Sequence, residues 1–407
     1  MPDAHLDDLA SHYLRTLCQG IPTRQTGTQG NRDATATFAR EIAALGFEAE
    51  CPEFDCFAWT AGEVHLTAGG EQLAASASPY SLGVQVQAPL SVASTVEQLA
   101  QLALSGRVLL ARGDLVAEPL MPKSFPFYNP EHHQRIVRML EAKQPAAIVA
   151  ATGRNPEAVG ALYPFPWIED GDFDIPSVFM TDDEGDRLAP YAGQQVALTM
   201  EAARSPSTGC NVLGHRGGGG AGRFVVCAHI DCRMGSPGAL DNASGVVVLL
   251  LLAHLLQGWD GALEVELLAL NGHEYYSAAG GVQYVARNAG LFGDIVLAAN
   301  LDAAGYAGGR TAFSLYECPD ALAATIASAF AAHDGLIQGP RWFQSDHMIF
   351  VQNGRPAVAI TSEDLLHVES HITHTADDVP ELVDVGRLVE AAHALHDLAV
   401  ALDAADM

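Results

Sequence analysis

The sequence predicts an α/β fold: a three-layer α/β/α domain built on a mainly parallel, mixed sheet, plus a smaller β-rich insert. Three observations carry this expectation. From about residue 211 onward, four apolar runs of strand length (RFVVCAHI, ALEVELLALN, DIVLAANLD and PAVAITS) alternate with helix patterns. Runs that are apolar at nearly every position mark strands covered on both faces, which is the habit of parallel strands flanked by helices. The intervening pattern Ala243 to Leu256 is almost wholly apolar and reads as a buried helix, and Leu382 to Leu402 supplies another. Between about residues 57 and 203 the texture changes to short alternating segments and turns, which sets off the insert.

Taken in chain order, the first readable element lies in TGTQGNRDATATFAREIAALGF, residues 26–47. A Gly-rich lead-in is followed by Ala34, Phe38, Ile42 and Leu45 at helical spacing and then by a glycine stop, which predicts one amphipathic helix. Short strands begin near Glu53. In the insert, GRVLLARG and QPAAIVAAT read as strands, with NPEHHQRIVRMLEAK between them as a helix. IPSVFMTDDEGDRLAPY and QQVALTMEA follow, ending near Arg204. Gly217 to Gly220 precede a strand and lack a following Lys-Ser/Thr, so they predict a hairpin turn and not a phosphate loop.

Composition bounds the function. The chain has 407 residues, 49% of them hydrophobic, enough for a sizeable core. Against 49 Asp and Glu stand 21 Lys and Arg, a formal charge of −28, which repels polyphosphate and argues against nucleic-acid binding. The longest apolar run, Val246 to Leu256, is too short to cross a bilayer, and no signal-peptide pattern opens the sequence; a cytoplasmic protein without membrane partners is expected. Seven scattered cysteines do not suggest a disulfide framework; Cys51 and Cys56 could pair, but free thiols are the expectation.

The chemistry gathers where such sheets bind ligands, at the carboxyl ends of their strands. The first strand ends in CAHIDCRMGSPGALDNASG, bringing His229 and Asp231 to one side of an extended segment and Asp241 to the start of the apolar helix. The second delivers Glu274 in NGHEYYSAAGG, the third Asp302 in NLDAAG, and THTADD near the end adds His374. Singly, each has a plainer reading, a core histidine or a helix-capping aspartate. Together, imidazoles and carboxylates converging from separate strand ends are what a zinc ion takes as ligands.

On these residues the chain resembles the M28 family of zinc aminopeptidases. The likeness runs through RQTGTQGNRDATATFAREIAALGF, AHID…GALDNASG, the GHE turn, NLDAAG, SDHMIF and HTADDVPELVD. It implies a zinc-exopeptidase-like domain made of residues 1–56 and 204–407. Residues 57–203 resemble a protease-associated domain in SGRVLLARG, EAKQPAAIVA and IPSVFMTDDEGDRL. The resemblance implies His229, Asp241 and Asp302 around one metal, Asp241 bridging to a second held by His374, Asp231 behind His229, and Glu274 as general base. It further implies zinc as cofactor, with cobalt or manganese possible, and peptides with a free N-terminus as substrate.

Two departures stand out. The family's turn reads G-x-E-E, and on an alignment fixed by Gly272 the second Glu is replaced by Tyr275. Thr373 precedes His374 where a tyrosine is common. Three arrangements of the second site remain open: it is weak or empty, Tyr275 ligates as phenolate, or His273 turns inward to donate a nitrogen. Three functions likewise remain: the aminopeptidase, a catalytically silent binding protein of the same fold, and a glutaminyl-cyclase-like acyltransferase.

Overall fold

The structure, a computed structural model, describes residues 3–21, 23–154, 161–218, 220 and 222–405. It divides into two units, Met1–Cys56 with Thr208–Met407, and Phe57–Ser207.

In the first unit an eight-stranded sheet runs in the order Glu48–Glu50, Val212–Arg216, Glu264–Leu270, Arg223–His229, Ile295–Leu301, Ala357–Ser362, Thr311–Tyr316, Leu336–Gln338. The four central strands are mutually parallel and coincide with the four apolar runs. Antiparallel partners flank them on both sides, so the sheet is mixed. Alternation explains the layers: Phe224, Val226, Val265, Leu267, Leu297, Ala299, Val358 and Ile360 all point into one large core with the helices Ser244–Leu255 and Val385–Asp403. The opposite face carries Glu266, Cys227 and Asn300, and there Tyr284 donates its hydroxyl to Glu266 at 2.8 Å while packing edge-on against Phe350.

Ser244–Leu255 is buried on all sides as far as Ala253, which is why it reads as apolar without a polar stripe. Gln29–Ala44 is the amphipathic helix expected near the N-terminus, capped by the Thr28 hydroxyl, which accepts the Asn31 N–H, and buried through Ala34, Phe38 and Ile42. A further helix, Asp3–Arg15, was not foreseen, although Leu6, Ala10, Tyr13 and Leu14 form its buried stripe.

The hairpin expected at Gly217 to Gly220 is not formed, Gly219 itself lying outside the described residues. Val212–Arg216 pairs with Glu264–Leu270, which also pairs with Arg223–His229, so the connection steps over one strand. Glycine suits a hairpin and such a crossing equally, and local sequence does not distinguish them.

The second unit holds its own sheet, with Val84–Ala93, Val108–Ala111, Ala147–Thr152 and Ser177–Thr181 parallel in succession. The helix Glu131–Lys143 buries Ile136, Val137 and Leu140. None of the described helices is long and apolar enough to cross a membrane.

Candidate metal centre

His229 is the last residue of its strand, and the chain stays extended beyond it, with Ile230 donating its N–H to Leu270 O at 2.8 Å. The following loop brings Asp241 back under tight control from two sides. Arg24, 1% exposed, donates to the carbonyls of Ile230, Pro237 and Gly238 at 3.0, 2.9 and 2.8 Å. Asp378 accepts the N–H groups of Leu240 and Asp241 at 2.7 and 3.1 Å. A cation thus holds the loop by its carbonyls and an anion by its amides. Gly238 sits between them at φ 60°, where an added Cβ would lie 2.5 Å from Asp241 O and 2.8 Å from the Arg24 guanidinium.

The turn after strand Glu264–Leu270 carries His273 and Glu274, and Asp231 fixes it. The Asp231 carboxylate, fully buried, accepts the His273 N–H at 3.2 Å, the Glu274 N–H at 2.9 Å and the Thr26 hydroxyl at 3.0 Å. Asp302 follows strand Ile295–Leu301 directly, its N–H donating to Ile360 O and its Oδ2 accepting the Ser345 hydroxyl at 2.6 Å. His374 adopts φ 67°, a left-handed backbone that costs a non-glycine residue roughly 1–3 kcal/mol and is found where surrounding structure imposes it.

These side chains meet around Asp241. Its Oδ1 lies 3.1 Å from His229 Nε2 and its Oδ2 lies 3.1 Å from His374 Nε2, one oxygen facing each imidazole. Beside His229 stand Asp302, at 3.7 Å, and the ring of His273, stacked at 4.2 Å between centroids. Beside His374 stands Glu274, with Oε1 at 2.8 Å. Two donor groups result, His229/His273/Asp302 and Asp241/Glu274/His374, each with ligand-type atoms within 4.8 Å of one another.

The residues fit divalent metal. His229 Nδ1 faces the backbone carbonyl of Asp231 at 3.2 Å, nearer than that residue's carboxylate at 3.6 Å, which favours the tautomer that leaves Nε2 bare toward Asp241. His229 Nε2 and Glu274 Oε1 are buried and each faces another ligand-type side chain, Asp241 and His374 respectively. The electrostatics demand positive charge. Burial alone would push the His374 imidazole down, but Glu274 and Asp241 hold it well above its ordinary range. Burial would likewise raise Glu274, yet His374 beside it brings the carboxyl down to about 2. A third group, Glu118 with His132 and His133, lies in the second unit. There His133 Nδ1 accepts the Met121 N–H at 3.1 Å, so the proton sits on Nε2, which faces Glu118 at 3.2 Å and is a poor ligand.

The structure brings His229, Asp231, Asp241, His273, Glu274, Asp302 and His374 together. It differs from the sequence reading in how they are grouped. Glu274, expected as the base, faces Asp241 and His374 and gives that group the carboxylate that the alignment on Gly272 had denied it. Tyr275 is buried and its ring packs at 4.6 Å from that of Tyr276. His273 does turn inward, but toward His229 and Asp302. The Asp231 carboxylate holds the turn through backbone N–H groups and Thr26 and lies 3.6 Å from His229 Nδ1, behind that imidazole. Thr373 is 3% exposed.

Several residues were missed. Asp346 takes His273 Nδ1 at 3.0 Å, and Arg233 approaches Glu274 Oε2 at 3.5 Å. Glu369 lies within electrostatic reach of Asp302, His374 and Asp241; burial and then Asp302 push its carboxyl up to about 7. Only the Asp-Asp pair at 377–378 and the SDH triplet at 345–347 gave any sequence signal for these, and neither named a role.

Comparison with known proteins agrees with this geometry. The profile described as peptidase family M28 matches residues 211–399. In fold, the chain is similar to an aminopeptidase from Aneurinibacillus sp. strain AM-1, with TM-score 0.75, 21% identity, and coverage of 96% of this chain and 92% of that one. It is similarly close to BSAP, a zinc aminopeptidase from Bacillus subtilis, with TM-score 0.74, 21% identity, and coverage of 97% and 94%. The probable lipoprotein aminopeptidase LpqL of Mycobacterium tuberculosis is 25% identical over 274 residues, 65% of this chain and 51% of that protein, so the chain spans about half the length of this curated relative. Both donor groups lie within residues 211–399, the segment that matches the profile of peptidase family M28.

Proposed function

We propose that the protein is a metal-dependent aminopeptidase that hydrolyses the first peptide bond of substrates with a free N-terminus. The observation that carries the reading is Asp241, set 3.1 Å from each of two histidines with a separate donor group on either side. The match of residues 211–399 to the peptidase family M28 profile and the fold shared with a zinc aminopeptidase support it.

Zinc is the proposed metal, since mixed imidazole and carboxylate sets suit it. His229 and Asp302 would hold one ion, His374 and Glu274 a second, with Asp241 common to both. Bound zinc supplies Lewis acidity, polarising the scissile carbonyl and acidifying a water. In this reading Glu274 is a ligand, facing His374 and Asp241. His273, oriented by Asp346 through Nδ1 and, against the effect of burial, brought up by it to about 9, is the neighbouring group that hands a proton to the leaving amine. We further propose Glu369, within electrostatic reach of Asp302 and Asp241, as the group that meets the substrate's ammonium, whose charge would hold it ionised. We also propose that residues 57–203 are a protease-associated-like insert, on the strength of the parallel strand succession in that unit.

The test is amino-acid release from unblocked peptides and aminoacyl p-nitroanilides. Release is expected to stop with a chelator, return with zinc, and fail on N-acetylated substrates. Absence of release from any unblocked substrate by zinc-loaded protein would overturn the reading.

A further inference from the structure

Outside the metal centre, two cysteines near the points where the chain leaves the first unit and returns to it are unused by the proposed chemistry. Strand Glu48–Glu50 pairs antiparallel with Val212–Arg216, Glu50 facing Leu213. The ladder carries on, since Asn211 donates its N–H to Pro52 O at 3.2 Å. Counting along it, residue 51 faces 212, and Cys210 lies two residues from 212 on the same face, which makes Cys51 and Cys210 diagonal neighbours. Their thiols are hydrogen-bonded to one another. Cys51 is exposed and Cys210 half-buried, whereas Cys18, Cys56, Cys227 and Cys232 are buried.

We propose that Cys51 and Cys210 are a thiol–disulfide exchange site, closed to an intramolecular disulfide by small-molecule disulfides and reopened by thiols. The hydrogen bonds decide the order of events. Cys210 receives hydrogen bonds from Cys51 and from Thr35, which favour its thiolate and bring it down to about 6, while Cys51 is pushed up as the donor. The Cys210 thiolate attacks one sulfur of the small disulfide and releases the other as thiolate, leaving a mixed disulfide on Cys210. Cys51 then loses its proton to solvent, and its sulfur attacks the Cys210 sulfur and displaces the second small thiolate. Two electrons and two protons have passed from the cysteines to the small disulfide.

The bond would matter because of what lies between and beside the pair. It closes a covalent ring around the whole segment from Cys51 to Cys210, which includes the unit Phe57–Ser207. It also fixes the strand end that anchors the catalytic turn. Cys210 O accepts Asn271 Nδ2 at 3.0 Å and Asn211 Oδ1 accepts the Asn271 N–H at 2.9 Å, two residues ahead of His273.

The experiment treats the full chain with 2-hydroxyethyl disulfide near neutral pH, counts thiols after unfolding, and maps peptides. Thiols are expected to fall from seven to five, with a Cys51–Cys210 cross-linked peptide that dithiothreitol abolishes. Cys51→Ser should trap a lasting hydroxyethyl adduct on Cys210, while Cys210→Ser should leave Cys51 unmodified over the same time. Seven thiols remaining, a cross-link between other cysteines, or separate adducts on Cys51 and Cys210 in the wild-type chain would each overturn the proposal.

Discussion

Glu274 Oε1 lies 2.8 Å from His374 Nε2, closer than Asp241 Oδ2 at 3.1 Å. This contact places Glu274 in the donor group of Asp241 and His374, and it leaves His273 as the residue facing the other group. The two neighbours in the turn therefore point to different halves of the centre, and they should fail differently when changed.

His273→Gln is expected to retain metal and lower kcat/KM by about 10²- to 10⁴-fold, the usual worth of a positioned proton-transfer group. Asp346→Asn, which only loosens the orientation of His273, should cost less. Steady-state kinetics with metal content measured on the same samples checks both; kcat/KM within twofold of wild type for His273→Gln would remove it from the reaction.

Asp378 does not face the substrate, yet it holds the two N–H groups of Leu240 and Asp241. Asp378→Asn is expected to weaken metal binding by about 10–100-fold, as loss of groups behind a ligand commonly does. Competition with a chromogenic chelator reads the affinity, and an unchanged circular dichroism spectrum separates this from unfolding.

Glu369→Gln should raise KM for substrates with a free amino group by roughly tenfold or more, the range lost with one charge-assisted hydrogen bond. Its kcat should change far less, because the residue is assigned to the ammonium group and not to the scissile bond. A fall in kcat at constant KM would contradict that assignment.

Burial holds His347 down to about 4, against the pull of its hydrogen bond to Trp342 O. With the native pKa below the ordinary value near 6.5, the unfolded chain takes up the proton first as pH falls. This residue's contribution therefore declines from about pH 6.5 to about pH 4 and is level below that. Urea midpoints across that range should fall more steeply for wild type than for His347→Asn.

Much of the fold was legible because parallel strands must be apolar on both faces, and four such runs became the four central strands. The convergence of His229, Asp241, Asp302 and His374 was legible too, since each follows a strand end or the loop beyond it. The directions of the side chains within the GHEY turn were not. One-residue shifts along a turn are invisible to an alignment anchored on a glycine, and only the side-chain directions assign Glu274 to His374. Arg24 and Asp378 escaped for a related reason: their partners are backbone groups on a loop more than a hundred residues away. The Asp3–Arg15 helix was legible in principle from the spacing of Leu6, Ala10, Tyr13 and Leu14.

The most direct test of the central claim is the number of zinc ions bound per chain after equilibrium dialysis, for wild type, Glu274→Ala and Tyr275→Phe. The account predicts two ions for wild type, one for Glu274→Ala and two for Tyr275→Phe. A single ion in the wild type, or two retained by Glu274→Ala with one lost from Tyr275→Phe, would contradict it.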